Sequence, residues 1–153
     1  MSFLADLHRT VQATLKSQRL GTPVFVRYQL QSVNKNAAPR LVQMLTAVRD
    51  WMGRPVERVY SVGSAKTGVS LTVEFQGGAT ALISWALAPP RGNGVDLMVI
   101  GNHGVLYHDA GNGKLWDEPP GALAENPDQA LVALIERALR SGQPEAAGKG
   151  VSP

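Results

Sequence analysis

The stretch VSLTVEFQGGATALISWAL, Val69–Leu87, decides the architecture. Two runs rich in β-branched and apolar residues flank Gly77-Gly78, which is the signature of a hairpin. A two-residue turn would pair Gln76 with Ala79. It would then pair Phe75 with Thr80, Val73 with Leu82 and Leu71 with Ser84 on an apolar, core-facing side. The opposite side would pair Ser70 with Trp85, Thr72 with Ile83 and Glu74 with Ala81. That second face is odd: one strand is polar and its partner carries a Trp and an Ile.

Outward from the hairpin, strands and helices follow from periodicity. Leu4, Leu7, Val11 and Leu15 form a helical stripe behind a possible cap at Ser2, with Gly21 as the stop. Val24, Val26, Tyr28 and Leu30 alternate as a strand. Leu41, Leu45, Val48 and Met52 mark a helix from about Pro39 to Gly53. VERVYSV, VDLMVIG and VLYHD read as strands, and Leu115 and Trp116 could belong to another. Asn126, with Pro127 at the first helical position, predicts a last helix with Leu131, Leu134, Ile135, Ala138 and Leu139 inward and Gly142 as its end. The expected fold is α+β: a mostly antiparallel open sheet with helices packed on one face and the other face free for oligomerisation. The expected domain is residues 1–145, with 146–153 a flexible tail.

The 153 residues suit one domain with a real core. The chain has no Cys, so thiolate metal sites and Cys nucleophiles are excluded. It has neither a signal-peptide pattern nor an apolar run of bilayer length, which predicts a cytoplasmic protein without a membrane partner. Net charge is +3. Residues 1–76 hold ten Lys/Arg against four Asp/Glu, and residues 77–153 five against eight. The basic residues are scattered and lack interleaved aromatics, so a solvated surface is expected and no nucleic-acid partner.

VGSAKTGVS imitates a phosphate loop, but Val69 stands where the Lys must be and a strand follows, so a tight turn is expected. No Gly-x-Gly-x-x-Gly opens a helix, so no dinucleotide cofactor is expected. His8, His103 and His108 lack the spacing of ligands, even with Asp96, Asp109 and Asp117 available, and no metal is expected. Trp51 and Met52 read as core.

Five segments together resemble the C-terminal substrate domain of the Gfo/Idh/MocA oxidoreductase family. They are RLGTPVFVRYQ (Arg19–Gln29), WMGRPVERVYSVGS (Trp51–Ser64), VEFQGGATALISWAL (Val73–Leu87), VIGNHGVLYHD (Val99–Asp109) and ALIERALRSGQP (Ala133–Pro144). The resemblance implies a stand-alone version of that domain, without the family's Rossmann domain and its Glu-Lys-Pro lysine. The family's Asp-x-x-x-His pattern is missing as well. Its His position falls on Met44 or Gln43, and its downstream Asp position on Ala47 or Thr46, none of which takes a proton near neutral pH.

The resemblance also implies that the open sheet face meets another copy. Trp85 and Ile83, with Met98 and Ile100, would form the apolar patch, and Ser70, Thr72 and Glu74 its polar part. Cover by a loop or the tail is the alternative. Three functions follow. The first is a non-catalytic homo-oligomer, most simply a dimer, with a sugar-like ligand in the remnant site, where Gln43, His103 and His108 are the candidate ligand residues. The second is an accessory subunit completing a split NAD(P)-dependent oxidoreductase with a separate Rossmann chain. The third is an unrelated enzyme using His103 and His108.

Overall fold

Helix α1 (Phe3–Lys16) buries Leu4, Leu7 and Val11, one per turn, and leaves Asp6 and Arg9 as an ion pair in solvent. The structure, a computed structural model, describes residues 3–33, 35–88, 94–109 and 127–148. The chain reverses through Gln18 and Gly21, both at positive φ, into β1 (Pro23–Ser32). Helix α2 (Ala37–Met52) starts two residues before Pro39, which therefore sits in the first turn, where a missing N–H costs nothing. Gly53 ends α2 in the left-handed conformation, donating its N–H to the Arg49 carbonyl. Strands β2 (Val56–Ser64), β3 (Gly68–Phe75), β4 (Thr80–Leu87), β5 (Gly94–Gly101) and β6 (Val105–Asp109) follow. Helix α3 (Gln129–Ser141) and the short β7 (Glu145–Ala146) complete the described elements.

The strands form one sheet in the order β6-β5-β1-β4-β3-β2-β7. Every pairing is antiparallel except β1 with β4. The α+β class and the open, mostly antiparallel sheet agree with the expectation. The three helices supply apolar stripes to one face, where Val26, Tyr28, Val59, Leu71 and Leu97 lie buried.

The hairpin departs from the expected register by one residue. Gln76, Gly77 and Gly78 make a three-residue 3-10 turn, with both glycines at positive φ. The Phe75 N–H donates to the Ala79 carbonyl at 2.9 Å. The ladder then pairs Glu74 with Thr80, Thr72 with Leu82 and Ser70 with Ser84. Because side chains alternate with period two, one extra loop residue turns β4 over while β3 stays in place. Ala81, Ile83 and Trp85 therefore join Val69, Leu71, Val73 and Phe75 beneath the helices. Trp85 is 1% and Ile83 0% exposed, so both are core residues and not part of the open face.

Two ends also differ. Asp128, not Asn126, caps α3: its carboxylate accepts the Ala130 N–H at 2.9 Å. The expected tail begins inside β7, which pairs with β2, and the Ala147 N–H donates to the Glu57 carbonyl. Ser2, Leu115, Trp116, Asn126 and residues 149–153 lie outside the described residues. A turn connects β2 and β3 within GSAKTG, as expected, but it is confined to residues 65–67, the flanking residues belonging to the two strands.

The segment Leu20-Gly21-Thr22 locks onto Gly101-Asn102-His103. The Asn102 N–H donates to the Thr22 carbonyl and the His103 N–H to the Leu20 carbonyl, while the Thr22 N–H donates to Asn102 Oδ1. Two of the family-like segments are thus the two halves of one contact.

Candidate functional site

The uncovered face of the sheet follows from the corrected register. One row across it runs Tyr107, Met98, Arg27, Leu82, Thr72, Tyr60. The next includes Asp96, Gln29, Ser84, Ser70 and Val62. Val105, Val62 and Tyr107 are 58%, 56% and 53% exposed. Leu82, Met98 and Ile100 are half-buried among their neighbours on the same face. Two ion pairs lie here within the chain. Arg27 meets Asp96 at 3.2 Å, and Arg58 meets Glu74 at 3.3 Å. Tyr107 donates its hydroxyl to Asp96, and Ser70 and Ser84 share a hydrogen bond of 2.8 Å. Of the residues expected on this face, Ser70, Thr72, Glu74, Met98 and Ile100 lie there. The residues missed were Leu82, Tyr60, Val62, Val105 and Tyr107; alternation read in the true register finds all five.

On the helix side, α2 and α3 enclose a groove of about 400 Å³. Its apolar lining includes Ala38, Pro39, Val42, Val132 and Ile135. Gln43, Thr46, Arg49, Asp128 and Glu136 contribute its polar groups. Arg49, almost wholly buried, donates to Asp128 Oδ2 at 2.7 Å. This hydrogen bond is the main reason the Asp128 carboxyl sits below the usual carboxylate range. Sequence reading missed this pair, which joins residues distant in the chain and carries no local spacing signal.

The three candidate ligand residues do not converge. Gln43 lies in the groove, accepting from Arg40 Nη1 at 3.2 Å. His103 is an exposed turn residue that acts through its backbone. His108 stands on edge strand β6, paired with Leu97. Neither histidine lines the groove. Among the described residues no group of three or more His, Cys, Asp or Glu could hold a metal, and no helix is long and apolar enough to cross a membrane.

His8 has an unexpected environment. Its Nε2 lies 2.9 Å from the Tyr28 hydroxyl, and its ring meets Tyr28 and Trp51 edge-on at 5.8 and 5.4 Å. Tyr28 and Trp51 stack on each other. Burial lowers the His8 pKa from 6.5 to about 4. Above pH 6.5 the imidazole is neutral whether the chain is folded or unfolded. Below it the unfolded chain binds a proton that the folded chain refuses until about pH 4. Stability therefore falls as pH drops through that window, by roughly 1.4 kcal/mol per unit. Unfolding free energies from urea titrations at pH 7 and pH 5 are expected to differ by about 2 kcal/mol in wild type. His8→Gln should remove most of that difference; an unchanged difference would place its source elsewhere.

Solved structures share this arrangement. An oxidoreductase domain protein from Kribbella flavida matches 93% of this chain over 63% of its own, with a TM-score of 0.65 and 14% identity. A probable dehydrogenase from Thermotoga maritima matches 67% of this chain over 37% of its own, with a TM-score of 0.59 and 18% identity. The fold is that of the Gfo/Idh/MocA oxidoreductases. A scyllo-inositol dehydrogenase from Lactobacillus casei, solved with bound NAD(H) and scyllo-inositol, matches 66% of this chain over 38% of its own, with a TM-score of 0.53 and 13% identity. The chain thus spans between about a third and two thirds of the length of these Gfo/Idh/MocA-fold neighbours. No family model matches the sequence, and no curated protein matches it. Against the Gfo/Idh/MocA pattern, Met44 is buried in the core and Gln43 faces the groove, with Thr46 one turn on and Ala47 buried.

Proposed function

We propose that the chain acts as a non-catalytic homo-oligomer, most simply a dimer, built on a Gfo/Idh/MocA substrate-domain scaffold, in the cytoplasm. One observation carries this reading: the whole outer face of the sheet lies uncovered among the described residues, and it presents Val62, Val105 and Tyr107 to solvent. Val105 and Tyr107 adjoin Ile100 and Met98 across β5–β6, with Val62 apart on β2, and a contiguous exposed apolar patch suits an interaction site. The partner we favour is a second copy, because both arginines named on this face are already paired within the chain. Arg27 is matched by Asp96 and Arg58 by Glu74, so two such faces meet without like-charge repulsion. Ser70, Thr72, Glu74, Met98 and Ile100 belong to the interface, joined by Leu82 and Tyr107; Trp85 and Ile83 do not.

Leu82→Glu is expected to shift the mass in sedimentation toward monomer while leaving the circular dichroism intact. Each substitution in a two-fold interface acts twice, so the loss should reach about a hundredfold in dimer affinity. A wild-type chain that stays monomeric at high micromolar concentration sinks the proposal.

A second reading is an accessory role, in which this chain supplies the substrate-domain half of an NAD(P)-dependent oxidoreductase to a cofactor-binding partner. It is favoured by the open α2–α3 groove and by the greater length of the Gfo/Idh/MocA-fold neighbours. Co-purification of a dinucleotide-binding chain would support it.

A further inference from the structure

We infer that the α2–α3 groove is a binding site for an uncharged, largely apolar small molecule of aryl or alicyclic type, and that it rejects polyols. The inference does not depend on the oligomer. A volume of about 400 Å³ falls within the range of small-molecule sites. What selects the ligand is the state of the polar wall. Thr46 spends its hydroxyl proton on the Val42 carbonyl at 2.7 Å. Gln43 Oε1 accepts from Arg40. Arg49 Nη1 is bonded to Asp128 Oδ2, its buried Nε makes no hydrogen bond and lies 3.7 Å from Asp50 Oδ1, and Asp128 Oδ1 accepts the Ala130 N–H. The remaining polar lining residue, Glu136, is solvated at the rim.

A sugar entering this groove would surrender its hydration and find few partners, which is unfavourable for every hydroxyl left unmatched. An anion would meet an arginine already neutralised, with the Glu136 carboxylate nearby. A cation would have to compete with Arg49 for Asp128. A neutral apolar body only displaces water from Ala38, Pro39, Val42, Val132 and Ile135, and that transfer is favourable. The sugar-like ligand implied by the sequence resemblance does not suit these walls.

The test uses indole and myo-inositol as probes, with amide NMR shifts of the full chain as the readout. Indole at millimolar concentration is expected to give saturable shifts confined to α2 and α3, and myo-inositol none there. Ala38→Trp, which fills the groove from a half-buried helical position, should weaken indole binding by about tenfold or more. Val132→Trp is the second variant should the first fail to fold. Leu82→Glu, on the opposite face, should leave indole binding unchanged, which separates this inference from the oligomer proposal. The inference is overturned by any of four results: no saturable indole shift, myo-inositol binding in the groove, indole shifts scattered over the surface, or groove amides that move on dilution without ligand because a second copy occupies it.

Discussion

Trp85→Glu is expected to unfold the chain. The indole lies under the helices, 1% exposed, on the same face as Leu71, Val73, Phe75 and Ile83. Truncating a buried Trp costs about 3–5 kcal/mol. Placing a carboxylate there adds the penalty of a buried, unpaired charge. Together these approach or exceed the whole stability of an ordinary domain, about 5–15 kcal/mol. Far-UV circular dichroism should collapse for Trp85→Glu and for Phe75→Glu alike, and Trp85→Ala should lower the urea midpoint sharply. Leu82→Glu, on the other side of the same strand, is the control and should keep its spectrum. A folded Trp85→Glu with a wild-type midpoint would mean that β4 is turned the other way.

Gly101→Ala is the second large effect, from a single methyl group. A β-carbon at residue 101 would run into the carbonyl oxygen of Leu20, whose position is fixed by the bond it accepts from the His103 N–H. Backbone cannot step aside as a flexible side chain can. The expected cost is about 3 kcal/mol, at the upper end for overpacking. Gly104→Ala is the comparison: its β-carbon would meet the Arg19 carbonyl oxygen at 3.4 Å and Leu20 at 3.5 Å, ordinary van der Waals distances, so it should cost far less. Chemical denaturation of the two variants measures the difference. Equal midpoints would show that the end of β5 adapts.

The contrast between these positions explains what could be read from the chain. The α+β layering was legible because Leu41, Leu45 and Val48, and the alternation in β1, each carry their own period. The hairpin's existence was legible for the same reason. Its register was not, because Gly77-Gly78 suits both a two-residue turn and a three-residue turn that also uses Gln76. Deciding between them takes tertiary packing: Trp85 and Ile83 must go where the helices are. Asp128 lost the capping role to Asn126 in the sequence reading because its anchor, Arg49, lies on another helix. The surroundings of His8 were not legible, because Tyr28 and Trp51 reach it only through the fold.

The parallel seam between β1 and β4 has a consequence for how the molecule comes into being. Strand β1 is made early, yet Phe25 pairs with Thr80 and Val26 with Val99. The meander β2–β3–β4, by contrast, is joined by short turns and can zip up from its own ends. Closing the longer loops costs chain entropy that only the finished sheet repays. The meander therefore assembles before its central neighbour takes its place. In pulse-labelled hydrogen exchange, the amides of Leu71 and Val73 should gain protection before those of Val26 and Tyr28. On a ribosome, β1 and the helix ahead of it must wait, unpaired, until β4 and β5 emerge to hold them.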